Sequence, residues 1–105
     1  MTLSDIPSAF QSKVRLAVVA ALLTGPRSFK SLRDLTGATD GNLGRQLEIL
    51  DEAGILTVEK TLVGRRANST YSLTEEGRRL FSAYIRLLQD ILDAAGEAPG
   101  GAMGA

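Results

Sequence analysis

The chain has 105 residues, about one domain's worth, and its 44% hydrophobic and 23% charged content excludes a disordered chain in favour of a globular one. It holds neither Cys nor His, which excludes disulfides and thiol redox chemistry and removes the usual imidazole bases and soft-metal ligands. The net charge is zero, yet residues 13–79 carry eleven Lys and Arg against eight Asp and Glu, so a basic centre is offset by acidic flanks.

The first helix is expected over residues 13–24. Val14, Leu16, Ala17, Val18, Val19, Leu22 and Leu23 leave it little polar surface, so it should be buried on most sides, and Gly25 and Pro26 stop it. Ser28 is placed to cap a second helix running to about residue 36, with Phe29, Leu32 and Leu35 inward and Gly37 at its end. Thr39 caps a third helix ending near Gly54, with Leu43, Leu47 and Leu50 as its core stripe. The period then changes. Leu56, Val58, Lys60 and Leu62 alternate with Thr57, Glu59 and Thr61, which predicts a strand over 56–62. A polar turn is expected over 63–69 and a second short strand over 70–73, giving a hairpin with a basic tip. Thr74 caps the last helix, with Glu75 and Glu76 in its favourable first turn. Residues 96–105 are rich in Gly, Ala and Pro and are expected to be disordered.

Three helices followed by a β-hairpin, in that order, make the winged-helix arrangement, mainly α with a small β-hairpin and a C-terminal helix. The expected organisation is a single unit over 1–95, with its core at 13–73, its C-terminal helix at 74–95 and a tail after that. The run from Leu47 through Glu48, Ile49, Leu50, Asp51, Glu52, Ala53, Gly54 and Ile55 to Leu56 resembles the small winged-helix regulators of the MarR, ArsR and PadR type. So do Gly64-Arg65-Arg66 and the run from Tyr71 to Arg78, which includes Leu73-Thr74-Glu75-Glu76-Gly77. The resemblance covers roughly residues 13–92 and implies a bacterial or archaeal transcriptional regulator that binds near-palindromic double-stranded DNA as a homodimer. It also allows a small-molecule effector between the last helix and the core, which no residue identifies.

At about 100° per residue, the third helix turns Gly41, Arg45, Glu48 and Glu52 away from its core stripe, flanked by Asn42 and Ile49. Arg45 suits a bidentate contact to guanine, and Asn42 or Gln46 suits adenine. Thr39 and Asp40 sit at the start of this helix, where backbone amides favour phosphate; Asp40 is a good first-turn residue and a weaker candidate for a cytosine amino group. In the wing, Lys60, Arg65, Arg66 and Asn68 are candidates for phosphate or minor-groove contacts. The apolar stripe of the last helix, which includes Phe81, Tyr84, Leu87, Leu88, Ile91 and Leu92, is wide enough to predict pairing with a second copy, helped by Leu3, Ile6 and Phe10.

No nucleophile–base pair, phosphate-binding loop or dinucleotide fingerprint is apparent, and most Ser and Thr fall at caps. The expectation is no enzyme, no cofactor and no metal. No run is long and apolar enough for a membrane helix, and the first ten residues contain Asp5 and Pro7 without a basic start, so a cytoplasmic protein away from membranes is expected. The alternative reading is a winged-helix protein–protein interaction module, since the fold hosts several functions.

Overall fold

The computed structural model describes residues 7–95; the expected tail and the proposed contributions of Leu3 and Ile6 lie outside them. The first helix, α1, spans Lys13–Leu22. It opens at Ser12, whose hydroxyl accepts the Arg15 backbone N–H at 3.2 Å. It ends two residues earlier than its composition suggests. The Leu23 N–H reaches back only three residues, to the Ala20 carbonyl, and Gly25 does the same to Leu22, which tightens the chain into the turn before Pro26.

A two-residue strand, β1 (Arg27–Ser28), follows, and no sequence pattern marks it. It exists because Arg27 and Ser28 pair with Tyr71 and Thr70 of a distant strand. Ser28 also caps α2 (Phe29–Thr36), accepting from the Ser31 N–H at 3.1 Å. Leu32 is fully buried, but Leu35 is 48% exposed, against the expectation that it faces inward. It lies about 60° round the helix from Leu32, on the side away from Phe29, and the core lies on the Phe29 side. The third helix, α3 (Asp40–Glu52), is capped by Thr39 and buries Leu43, Leu47 and Leu50 as expected. It closes with the N–H of Gly54 on the Asp51 carbonyl and that of Ile55 on Leu50, while Leu50 and Ile55 share the core.

The hairpin joins β2 (Leu56–Val63) to β3 (Arg66–Leu73), and the sheet order is β1-β3-β2. The polar stretch 63–69 is therefore not a turn. The ladder runs out to a Val63–Arg66 pair, leaving only Gly64 and Arg65 as the loop. Gly64 has φ of 67° and Arg65 a negative φ, the sign pattern of a tight hairpin loop that matches the twist of its strands. Such a loop lets exposed polar residues stay extended, so polarity misplaces the turn.

The last helix, α4 (Glu75–Ala95), begins at Thr74. The Thr74 hydroxyl lies 2.7 Å from the Gly54 carbonyl and 3.0 Å from that of Ile55, and it accepts the Gly77 N–H at 2.9 Å. One side chain thus caps α4 and fastens it to the end of α3. The core gathers Val18, Val19 and Leu22 of α1, Leu32 of α2, the three α3 leucines, Ile55, Leu56, Tyr71 and Phe10. Each fully buried aliphatic side chain stabilises by about 1.5–3 kcal/mol relative to exposure. This core fixes α3 and the hairpin relative to each other.

Candidate nucleic-acid interface

The exposed side of α3 carries Asp40, Gly41, Asn42, Arg45, Glu48 and Glu52. Arg45 forms no ion pair or side-chain hydrogen bond among the described residues, so its guanidinium is free to meet a ligand. Asp40 is not free. It pairs with Arg33 of α2, Nη1 to Oδ1 at 3.1 Å, across the turn between the two helices. That pairing offsets the one carboxylate at the start of α3. Thr39 is occupied as the cap, accepting the Asn42 N–H at 3.2 Å.

Gln46 is placed differently from its neighbours. It is half-buried against α1, where its Oε1 accepts from the Arg15 guanidinium, and its Nε2 donates to Asn42 Oδ1 at 3.0 Å. Both polar ends are engaged inside the chain. Arg15 was not a sequence-level candidate, although it is a lone cation among Val14, Leu16, Ala17, Val18 and Val19. A charge in an apolar helix needs partners, and Arg15 has three: Gln46, the Ala9 carbonyl at 3.0 Å and the Ser8 carbonyl at 3.1 Å.

The four wing candidates do not share a face. Cross-strand register puts Lys60 opposite Ser69, on the face that begins with Leu56 and Val58, and puts Arg66 and Asn68 on the other face, with Arg65 in the loop. Lys60 lines a hollow of about 220 Å³ with Glu48 and Asp51 of α3. Arg66 and Asn68 line a cleft of about 600 Å³ against the start of α2, where Ser28 and Lys30 stand. Lys30, also absent from the sequence-level set, pairs with Asp34 at 3.2 Å and is well exposed. The cleft next to α2 brings two cations together, Arg66 from the hairpin and Lys30 from a helix.

On α4, Phe81 and Tyr84 pack on Phe10, with ring centroids at 5.7 and 5.2 Å, and Leu87 is buried. Leu88 and Ile91 are half-buried, Ile85 is 43% exposed and Leu92 is 66% exposed. The expected interface stripe is thus split, with its first half engaged within the chain and its second half open. Among the described residues no group of acidic side chains is arranged to hold a metal ion, and no helix is long and apolar enough to cross a membrane.

Comparisons with known proteins identify the family and the fold. The chain is 35% identical over 78 residues to an uncharacterized protein of Methanocaldococcus jannaschii, covering 72% of this chain and 84% of that one. Its fold is similar to a transcriptional regulator homologue from Pyrococcus horikoshii OT3, with a TM-score of 0.80 and 21% identity over 89% of this chain and 95% of that one. It is also similar to a putative transcriptional regulator of the MarR family from Enterococcus faecalis V583, with a TM-score of 0.72 and 25% identity over 87% and 83% of the two chains. The fold is shared with these two regulators. Residues 14–92, from α1 to near the end of α4, match the family model for a winged helix DNA-binding domain, and the chain belongs to that family, with the fold of MarR-type regulators.

Proposed function

We propose that this chain is a sequence-specific transcriptional regulator that binds double-stranded DNA as a homodimer on a near-palindromic operator. The first two turns of α3 enter the major groove, and the hairpin follows the backbone or the minor groove. The observation that carries this reading is the state of the charges on α3. The cation at its outer face, Arg45, has no partner among the described residues, while the nearby acid, Asp40, is already paired with Arg33. A surface so arranged favours a polyanion at the start of the helix. Arg45 suits guanine, whose O6 and N7 match a guanidinium fork. Glu48 and Glu52 lie in the second half of α3, where a recognition helix lifts away from the groove.

The wing supports the same reading from the side. Arg66, Asn68 and Lys30 flank the cleft at the start of α2, a shape suited to a phosphate strand passing between hairpin and helix. Lys60 lies beside Glu48 and Asp51 and contributes less. For the homodimer, Ile85, Leu88, Ile91 and Leu92 form the open part of the α4 stripe. Pairing there sets two copies of α3 about one helical turn of DNA apart, ~34 Å.

Binding to random-sequence duplex DNA at several salt concentrations, followed by selection of tight binders, tests the proposal. Affinity that falls steeply with salt and an inverted repeat among the selected sequences are the expected results. Absence of binding at low salt rejects DNA recognition and leaves the protein-interaction module as the reading to pursue.

A further inference from the structure

Arg15, Gln46 and Asn42 form a directed chain of hydrogen bonds from α1 to the outer face of α3. Its direction is fixed by chemistry. An arginine side chain has only donors, so Gln46 must turn its carbonyl oxygen toward Arg15. Its amide nitrogen then points the other way and can only donate. Asn42 answers with its carbonyl oxygen, Oδ1, at 3.0 Å. The exposed part of Asn42 is therefore its amide nitrogen, which has no partner among the described residues. Arg15 is held in turn by the Ser8 and Ala9 carbonyls, so it cannot swing away from Gln46 without leaving both.

We propose that Arg15 is a positioning residue for DNA reading, which through Gln46 presents Asn42 to the groove as a hydrogen-bond donor, so that Asn42 selects guanine rather than adenine. Adenine offers an acceptor and a donor side by side, N7 and the N6 amino group, and an asparagine reads it by using both ends of its amide. With Oδ1 turned inward, Asn42 lacks the acceptor that this pairing needs. Guanine offers two acceptors, N7 and O6, and matches a side chain that only donates. Gln46 reads no base, because both of its ends are engaged within the chain. The proposal rests on the DNA-binding function proposed above and refines its base preference.

Selection from randomised duplexes with the wild type and four variants tests it. Asn42→Ala locates the base pair that Asn42 contacts. The wild type is expected to favour guanine over adenine there by about tenfold. Arg15→Lys, whose ammonium also only donates, keeps that preference. Arg15→Met frees Gln46 and loses it, with no change in the salt dependence of binding, since Arg15 meets no phosphate. Gln46→Glu still accepts from Arg15 but has nothing to donate to Asn42, so it loses the guanine preference too, and it decides the matter if Arg15→Met does not fold. Variants that bind every sequence more weakly yet select the same base would reduce Arg15 to a structural role and overturn the proposal, as would wild-type selection of adenine at that pair. A wild type that selects no sequence refutes DNA reading itself, and the role of Arg15 with it; the wild-type arm alone tells these failures apart.

Discussion

A Cβ added to Gly77 would lie 2.3 Å from the Ile55 carbonyl oxygen and 3.1 Å from its carbon. That carbonyl cannot easily retreat, because it accepts the Thr74 N–H at 2.9 Å and lies 3.0 Å from the Thr74 hydroxyl. Gly77→Ala should therefore destabilise the fold by roughly 1–3 kcal/mol through overpacking, even though alanine is the better helix former. The check is a lower urea midpoint at fixed protein concentration with an unchanged m-value. Beside it, the hydrogen bond from Arg79 holds the Glu76 carboxyl below the usual carboxylate range, and the Arg79 charge adds to the effect. A depressed folded pKa means that the stabilisation is present above the ordinary glutamate pKa and is lost as pH falls through the folded value. Stability from this pair should thus be flat around neutral pH. In an NMR titration, Arg79→Ala should move the Glu76 midpoint up toward its ordinary value.

At the scale of the element, the wing divides into a tip and a base. Arg65 and Arg66 stand at the tip without ion-pair partners among the described residues, and replacing both with Ala should weaken binding to all sequences alike and reduce the salt slope by up to ~2. Salt-titrated binding checks this, and an unchanged slope would remove the tip from the interface. The helices were legible in the sequence because their signals are local: Ser28, Thr39 and Thr74 cap where expected, and Leu43, Leu47 and Leu50 keep helical spacing. The alternation of Leu56, Val58, Lys60 and Leu62 correctly gave one face of β2, but Leu62 is 76% exposed, because the strand continues beyond the core it starts on. What was not legible depends on contacts far apart in the chain. The strand β1 exists only through Tyr71 and Thr70, and the length of β3 only through its ladder with β2. The inward role of Gln46 needs Arg15, thirty-one residues earlier. The exposed face of α3 could be drawn on a helical wheel, whereas the pairing of Asp40 with Arg33 could not.

For the whole molecule, the open half of the α4 stripe is the surface proposed above to pair two copies. If two copies pair through it, the double variant Leu88→Asp with Ile91→Asp should be a monomer by light scattering, with Phe81 and Tyr84 still packed on Phe10 and the fold retained. A persisting dimer would place the interface elsewhere. Losing the second copy should also remove most of the affinity for an inverted repeat while leaving weak binding to a half-site, since each recognition helix then acts alone. The outer hairpin has a separate consequence. Residues 59–68 are all exposed, so the ladder alone sets how far the tip extends and which way it faces. Adding two residues to each strand would carry the tip about 7 Å farther with Arg66 on its present side. Adding one would roll the tip over and exchange the sides of Arg66 and Leu62. The reach of the hairpin can therefore be changed with Arg66 kept on its present side only in even steps, and every such step leaves the core untouched.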